Sequence, residues 1–230
     1  HKYHSPLSNK IVEEEKKKRG AKMEFKGSKL IKLLLLTQCL IVLCASEGFD
    51  FFYFVQQWPG AYCGTVVPKC FHSTKNPIMD FGIHGLWPQR KDGKIPSMCK
   101  PITHFNSSQS YEWNKHGTCS TSKLKQREYF EFALELKEAT NLKQTLRNAG
   151  INPDGKTYIL NNVRAALKKA YGFTPYIKCS GKNSEKNLLH EIYMSVANNE
   201  KLNFIDCPVN PKGACKQEIV FPAFTLGNKE

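Results

Sequence analysis

The chain has 230 residues, a length that allows one or two domains. It carries 34 lysines and arginines against 20 acidic side chains, a formal net charge of +14, and it contains nine cysteines. The excess of positive charge favours an anionic partner, such as nucleic acid or an anionic surface, over a basic one. Charge alone identifies no partner, because many secreted proteins are basic for reasons of solubility.

The first 48 residues have the pattern of a leader followed by a secretory signal. Residues 1–20 are polar and contain an EEE run followed by KKKR, which predicts a solvated segment. After Met23, spaced lysines precede an apolar run over residues 33–45 and a group of small residues that ends at Gly48. This order is typical of a signal peptide over about residues 23–48, with residues 1–22 as a leader. A membrane anchor is the alternative, but the apolar run is well short of the roughly 20 residues that span a bilayer.

Residues 49–230 are expected to form one mature domain, with 24 basic and 15 acidic side chains. A secretory route and a high cysteine density together predict disulfides. Because the number of remaining cysteines is odd, at least one thiol is free or pairs between chains. No CxxC pair suggests a zinc site, and a sequon at Asn106 predicts a glycosylated, exposed loop. The remaining cysteines are Cys63, Cys70, Cys99, Cys119, Cys179, Cys207 and Cys215.

The first half of the mature chain predicts two strands, a loop and a helix. Residues 49–59 are aromatic and β-branched, which predicts a buried strand that ends at Pro59. Residues 79–88 predict a short strand that runs into a Gly/Pro turn, and residues 96–110 are rich in Pro, Ser and Asn and predict a loop. Residues 124–150 predict a helix, because apolar side chains recur there at helical spacing and Gly150 follows.

The second half predicts another helix and three more strands. Residues 157–172 have helical periodicity, and Gly172 is the expected stop. Residues 190–197, 203–208 and 217–222 are short apolar runs that predict strands. Helices between flanking strands predict an α+β domain, with a central antiparallel sheet, packed helices and disulfide staples.

Two stretches set a histidine beside a glycine and near a tryptophan, DFGIHGLWPQ at residues 80–89 and YEWNKHGTCS at residues 111–120. If Glu112 to Cys119 begins on a helix, Glu112, Lys115 and His116 share one face. With His84 they would give two imidazoles, one carboxylate and one fixed cation. Two imidazoles suit a reaction that needs a base and then an acid near neutral pH, and RNA cleavage is such a reaction.

Each of these residues also has an ordinary structural explanation. A lone histidine in a strand is more often a hydrogen-bonded core residue, and Lys115 can be a solvated charge. Trp87 and Trp113 would offer stacking faces to bases, although a tryptophan before a proline, such as Trp87, is more often part of the core. A zinc site on His84, His116 and Glu112 is a further alternative, but no HExxH-type pair supports it.

The segments FGIHGLWP and EWNKHGTC resemble the two active-site segments of the secreted T2-type acid ribonucleases. The resemblance extends to the start of the mature chain, FDFFYFVQQWPGAYC, and to its end, FIDCPVNPKGACKQEIVFPAF, so it covers nearly all of residues 49–230. The chain is most similar to the plant S-like branch of the family. This resemblance implies an endoribonuclease that cleaves single-stranded RNA through a 2′,3′-cyclic phosphate, with low base specificity.

The resemblance also implies a role for each site residue. His116 matches the general base, His84 the general acid, and Glu112 with Lys115 the pair that stabilises the pentavalent phosphorus. Trp87 matches the residue that stacks on the first base, and Gln57 and Tyr111 are expected to contact the substrate. No metal and no cofactor are implied. The protein is expected to be a monomer, free of the membrane after signal cleavage, and secreted or delivered to the vacuole.

Three departures from the family pattern affect these expectations. Tyr111 stands where many members have a third histidine, which predicts weaker phosphate binding. The segment between Cys99 and His116 lacks a stretch that helps form the second base pocket in plant members. Ser195 stands where the plant enzymes have a cysteine that bridges to the position of Cys207, which predicts a free Cys207 and lower heat resistance. The pairings implied by resemblance are Cys63–Cys70, Cys99–Cys119 and Cys179–Cys215.

These departures keep a second class of function open. A catalytically weak paralogue that serves in storage, defence or RNA binding is the alternative to an active ribonuclease. A self-incompatibility ribonuclease is a further, minor alternative. The intact set of His84, Glu112, Lys115 and His116 favours the enzyme.

Overall fold

The computed structural model describes Lys17 and residues 48–65, 79–99, 110–180 and 187–224. The chain divides into two compact units between Glu47 and Gly48, and every described residue other than Lys17 belongs to the second unit. The expected leader and apolar signal run, the sequon at Asn106 and Cys70 lie outside the described residues. Within those residues no helix combines the length and the apolar character needed to cross a membrane.

The elements follow one another in the order of a mixed α and β chain. The first half contains β1 (Phe51–Gln57), α1 (Pro59–Thr65), β2 (Gly82–Gln89), α2 (Ser110–Lys115) and a 3-10 turn (Gly117–Ser120). The second half contains α3 (Gln126–Glu138), α4 (Leu142–Asn148), β3 (Thr157–Ile159), α5 (Leu160–Tyr171), β4 (Tyr176–Ser180), β5 (Leu188–Ala197), β6 (Phe204–Ile205) and β7 (Glu218–Val220).

The described strands form one seven-stranded sheet around β5. Its main path runs β2-β1-β5-β7-β3, and β4 and β6 also pair with β5. The pairings are antiparallel except for β5 with β7, which meet in parallel at Leu188 and Val220. The predicted α+β class, with helices packed on a mostly antiparallel sheet, is confirmed.

The side chains on the two faces of β1 pack in different hydrophobic clusters, because successive side chains on a strand point to opposite sides. Phe52 and Phe54 join the large core, which the apolar sides of α3, α4 and α5 cover. Phe51, Tyr53 and Val55 face the other way and pack with Tyr176 and Tyr193 in a smaller aromatic cluster. Trp87 and Cys207 pack against this smaller cluster. The candidate site described below lies at the border of that second face.

The prediction of one helix over residues 124–150 is wrong, since α3 and α4 are separate. The Asn141 side chain accepts a hydrogen bond from the Gln144 backbone N–H at 3.1 Å and so caps the start of α4. Thr140 lies in the break, where its hydroxyl bonds to the Leu136 carbonyl and accepts from Gln56 Nε2 on β1. The break therefore lets a buried polar pair join the helical layer to the sheet.

Two other predicted boundaries differ from the structure. Thr157–Ile159, expected to be helical, pair with β7 instead, because their β-branched and aromatic side chains favour a strand. The helix then runs to Tyr171 and stops at Gly172, which has a φ of 80°, as predicted. Pro59 ends the first strand but also begins α1, a position that suits its fixed φ. Neither α1 nor β4 was predicted.

Candidate active site

His84 is the extra residue of a β-bulge between β1 and β2. Val55 pairs with Gly85 and the next residue, Gln56, pairs with Ile83, so the register shifts past His84. A bulge leaves one residue unpaired and re-aims its side chain, and bulges are frequent beside active sites. The His84 side chain is 38% exposed, so its imidazole is accessible from solvent.

Gly85 allows the strand to pass close to two other site residues. A Cβ atom at this position would lie 2.2 Å from Trp87 Nε1 and 3.0 Å from a carboxylate oxygen of Glu112. The first distance is shorter than a Cβ tolerates and the second is tight, so any larger residue would displace the indole. The glycine next to the first histidine is thus explained by a close approach.

The second histidine follows the short helix α2. The His116 backbone N–H donates to the Glu112 carbonyl at 3.0 Å, so Glu112, Lys115 and His116 belong to one turn. The helix ends at Lys115 and a 3-10 turn follows, so the stretch begins on a helix, as the shared face of these residues requires, but does not continue as one. Gly117 lies against the Trp113 ring, where a Cβ would come within 2.2 Å of Cε3.

Trp113 does not offer a stacking face to a base. Only 1% of this residue is exposed, and its ring packs against Tyr129 in the core with 5.6 Å between centroids. The prediction that Trp113 stacks on bases is therefore wrong. Its role is to anchor the turn that carries His116.

The indole of Trp87 lies between the two histidines. Its centroid is 4.9 Å from the His84 ring and 5.2 Å from the His116 ring. Its Nε1–H donates to Glu112 Oε2 at 3.3 Å. The structure therefore brings together His84 from β2, His116 from the turn after α2, and Glu112 from α2, with Trp87 in contact with all three.

His116 is set up as a neutral imidazole. The residue is 6% exposed, and burial, aided by the positive charges of Lys115 and His84, lowers the pKa of His116 from 6.5 to about 4. Its Nδ1 is buried without a hydrogen-bond partner among the described residues. A neutral imidazole keeps a lone pair on one ring nitrogen, so this side chain can accept a proton even in mildly acidic solution.

A buried carboxylate, Glu191 on β5, contacts the first histidine. Its Oε1 lies 2.5 Å from His84 Nδ1, while its Oε2 accepts from Lys178 Nζ at 2.8 Å and from the Tyr193 hydroxyl at 2.9 Å. Burial acts to raise the pKa of Glu191, but the hydrogen bonds and charges of His84 and Lys178 outweigh it and lower the pKa to about 2. Glu191 is thus ionised at neutral and mildly acidic pH.

Glu191, Lys178 and Tyr193 are not among the residues that the sequence predicts for the site. The available signal was a carboxylate inside the apolar strand HEIYMSVA, where a charge is costly unless it is paired. Its partners come from β2 and β4, which are distant in sequence, so no local pattern could identify them. Within the described part of the chain, no group of three or more His, Cys, Asp or Glu side chains is arranged to hold a metal ion.

The two remaining predicted contact residues lie on opposite sides of the site. Gln57 Nε2 is 3.1 Å from His190 Nε2 and 3.4 Å from Glu191 Oε1, so Gln57 borders the His84 side. Tyr111 is 58% exposed, and its hydroxyl accepts from Lys115 Nζ at 3.0 Å. Tyr111 therefore orients the lysine on the side of His116.

Two of the three predicted disulfides are present. Cys99–Cys119 ties the segment after β2 to the turn after His116, and Cys179–Cys215 joins the end of β4 to the segment before β7. The pairing of Cys63 with Cys70 stays a prediction, because Cys70 lies outside the described residues. Cys207 forms no disulfide within the described ranges, and its thiol donates to the Val209 carbonyl.

Comparison with known proteins places this geometry in one family. The model of the Ribonuclease T2 family matches residues 49–110 and 107–207. Two tomato (Solanum lycopersicum) proteins, Extracellular ribonuclease LE and Intracellular ribonuclease LX, are 43% and 40% identical to this chain. The alignments cover 84% and 87% of this chain and 95% of each relative.

A solved structure shows the same fold. The crystal structure of RNase NT in complex with 5′-AMP superimposes with a TM-score of 0.69 at 37% identity, covering 76% of this chain and 99% of RNase NT. The family expected from the two histidine segments is therefore confirmed. This chain belongs to the ribonuclease T2 family, and it is an endoribonuclease.

Proposed function

We propose that this ribonuclease cleaves single-stranded RNA to a 2′,3′-cyclic phosphate by acid–base catalysis with two histidines and low base specificity. The observation that carries the proposal is the pair of imidazoles on either side of Trp87. One is buried, with a pKa lowered to about 4, and the other is hydrogen-bonded to an ionised carboxylate. This asymmetry suits a reaction in which one group takes a proton and the other gives one.

In the first half of the reaction His116 acts as the general base. Because Nδ1 is buried, Nε2 remains to accept the proton of the 2′-hydroxyl. The 2′-oxygen then forms a bond to phosphorus, and negative charge grows on the equatorial oxygens. Lys115 supplies positive charge there, and Glu112, which accepts the Trp87 Nε1–H, belongs to the same proposed phosphate-binding pair. Pre-oriented charge of this kind is worth about 10²–10³-fold in rate per group.

In the second half His84 acts as the general acid. It donates its Nε2 proton to the 5′-oxygen as the bond between phosphorus and that oxygen breaks. The products are a 2′,3′-cyclic phosphate and a free 5′-hydroxyl, and His116 and His84 have exchanged protonation states. A proton transfer of this type contributes about 10²–10⁴-fold. No step requires a metal ion.

The choice of substrate rests on the site and on the relatives. RNase NT binds 5′-AMP in its solved structure, which supports a nucleotide-binding site in the same fold. Gln57 and Tyr111 border the site with polar groups and are proposed to contact the nucleotides. Trp87 is packed between the histidines, and any base that stacks on it would have to use the remaining face of the indole. Since all these side chains come from one chain, we propose that a monomer is active.

The proposed location is the secretory route, with the extracellular space or the vacuole as the end point. The signal pattern of about residues 23–48 and the disulfides of the folded unit support it. The two tomato relatives are named extracellular and intracellular, so either end point has a precedent in their names.

The decisive experiment uses residues 49–230 with intact disulfides, a uridine- and adenine-containing dinucleotide, and EDTA. We expect a 2′,3′-cyclic phosphate, detected by ³¹P NMR. His116→Ala and His84→Phe should each lower kcat by at least about 10². Lys115→Met should lose activity, while Lys169→Met, the same loss of charge on the exposed end of α5, should not.

Absence of turnover by a folded protein would overturn the proposal and favour a storage, defence or RNA-binding role. Turnover that EDTA abolishes would contradict the metal-free mechanism. Turnover that survives both histidine substitutions would contradict the assigned roles.

A further inference from the structure

We propose that Glu191 is a positioning residue for the general acid: its carboxylate holds His84 Nδ1–H, so that Nε2 carries the proton delivered to the leaving oxygen. This inference rests on the proposed function and adds a residue to it. It starts from the 2.5 Å contact between Glu191 Oε1 and His84 Nδ1. The hydrogen bond at one imidazole nitrogen decides which tautomer is present and which way the other nitrogen points.

The carboxylate is fixed from both neighbouring strands. In the sheet Glu191 is directly opposite Gln57 on β1 and directly opposite Lys178 on β4. Lys178 Nζ and the Tyr193 hydroxyl donate hydrogen bonds to Oε2. The other oxygen, Oε1, contacts His84 Nδ1 and, at a longer distance, Gln57 Nε2. Only 1% of Glu191 is exposed, so water does not compete for these positions.

The position of His84 makes such a support necessary. As the extra residue of the bulge, His84 lacks the regular pairing that would orient its backbone on both sides. Its side chain is 38% exposed and touches Trp87 only at an edge, with 78° between the ring planes. An imidazole held this loosely would sample several rotamers, and the contact with Glu191 selects one of them.

The titratable groups around His84 come from several elements. Glu191, Tyr193 and His190 come from β5 and Lys178 from β4. On the other side of Trp87 lie His116, Lys115 and Glu112, from α2 and the turn after it. Among these, Glu191 is the one that bonds directly to the ring. Lys178 opposes its effect, because the ammonium shares the same carboxylate. Removing Glu191 and removing Lys178 should therefore change the protonation of His84 in opposite directions.

A buried ion pair between Glu191 and Lys178 can also be explained by structure alone. In that case the loss of Glu191 would lower stability and would affect all substrates equally. A positioning role for the general acid makes a different prediction, because only substrates whose leaving group must be protonated depend on His84. The leaving group therefore separates the two explanations.

The test compares Glu191→Gln with the parent protein on two substrates. The first is a uridine-containing dinucleotide, which releases a poor alkoxide leaving group. The second is uridine 3′-(4-nitrophenyl phosphate), whose phenolate leaves without protonation. We expect Glu191→Gln to lower kcat on the dinucleotide about 10- to 100-fold with little change in KM, and to change turnover of the aryl ester less than about threefold. His84→Phe should likewise lose activity on the dinucleotide and retain it on the aryl ester. His116→Ala should lose activity on both substrates.

The pH profile gives an independent readout. The alkaline limb of kcat/KM on the dinucleotide should move to lower pH in Glu191→Gln and to higher pH in Lys178→Met. If the alkaline limb of kcat/KM lies at the same pH in both variants as in the parent protein, the assignment of Glu191 is overturned. Equal losses on the two substrates would overturn it as well and would leave the proposed function intact. No cyclic phosphate from either substrate with the parent protein would instead refute the proposed function.

A measurement on the parent protein covers the case in which Glu191→Gln does not fold. In protein labelled with ¹⁵N-histidine, neutral His84 should be the Nδ1–H tautomer, with the signals assigned by their loss in His84→Phe. A neutral His84 that carries its proton on Nε2 would show that Glu191 does not hold Nδ1–H, and the proposal would be wrong.

Discussion

Trp87 Nε1 donates a hydrogen bond to Glu112 Oε2 across 3.3 Å, and this bond links the strand that carries His84 to the helix that precedes His116. The same indole contacts both imidazoles. Trp87 therefore sets the separation between the two halves of the proposed site in addition to any contact with a base. The tryptophan that follows the first His-Gly pair is explained by this spacing role.

Trp87→Phe is expected to lower kcat/KM about tenfold. The phenyl ring keeps part of the contact with the histidines but loses the hydrogen bond to Glu112, and a bond to a charged group is worth about 1.5 kcal/mol at the lower end of its range. Steady-state kinetics on a dinucleotide measure the effect. Trp58→Phe is the matched control, because it also loses an indole hydrogen bond, to the Pro222 carbonyl, but in the core. It should lower the melting temperature and leave kcat/KM near that of the parent, and the reverse pattern would contradict the role of Trp87.

Gly85→Ala should damage the site, whereas Gly82→Ala in the same strand should be tolerated. The new Cβ at Gly85 would meet Trp87 Nε1 at 2.2 Å, while at Gly82 no atom lies within 4 Å. Overpacking of this kind costs about 1–3 kcal/mol, and here it would push the indole away from both histidines. We expect kcat/KM to fall about 10- to 100-fold in Gly85→Ala and less than twofold in Gly82→Ala. Equal activities of the two variants would show that the close approach at Gly85 is not needed.

The local half of the site could be predicted from the sequence, and the non-local half could not. Glu112, Lys115 and His116 lie in one turn, so their spacing alone placed them together. Residue chemistry suggested the pairing of His84 with that turn only as a hypothesis, and the resemblance to the family supplied the specific support for it. Glu191 and Lys178 depend on the register of three strands, and no short pattern encodes which residues lie opposite each other in a sheet.

The fold shows the same division. The α+β class and the positions of most strands followed from alternating and apolar runs. The break between α3 and α4 did not, because the apolar spacing continues through it and the deciding feature is the cap at Asn141. Thr157–Ile159 was assigned to a helix because its partner strand, β7, lies far along the chain. Tertiary pairing overrode the local pattern in that case.

Acidification should destabilise the fold in two successive windows that overlap between pH 4.5 and 4. The pKa of His116 is lowered from 6.5 to about 4, so between these values the unfolded chain binds a proton that the folded protein does not. Stability should fall by about 3 kcal/mol as the pH drops from 6.5 to 4. The pKa of Glu191 is lowered from 4.5 to about 2, so its contribution is lost only below pH 4.5.

Urea unfolding at several pH values between 7 and 4.5 isolates the first window. Over this range the free energy of unfolding should decrease less in His116→Asn than in the parent protein. The difference between the two decreases should be most of the His116 contribution. The same slope in both proteins would show that His116 is not the group that titrates.

Ser195→Cys should create a fourth disulfide and stabilise the protein. Ser195 is buried on β5 opposite Ile205 on β6, and its hydroxyl has no hydrogen-bond partner within the described part of the chain. Cys207 follows β6 and packs against the same aromatic cluster. The resemblance to the plant enzymes implies that a cysteine at position 195 would bridge to Cys207. Restoring it should raise the free energy of unfolding by about 2–5 kcal/mol, which thermal and urea unfolding would measure.

Thiol counts on denatured, non-reduced protein of residues 49–230 complete this test. The parent should have one free thiol, that of Cys207, and Ser195→Cys should have none. Ser195→Ala is the matched control: it should keep one thiol and lose only a hydroxyl that is unsatisfied in the core, so its stability should equal or slightly exceed that of the parent. Two free thiols in Ser195→Cys would mean that the bridge does not form, and three in the parent would mean that Cys63 and Cys70 are not paired.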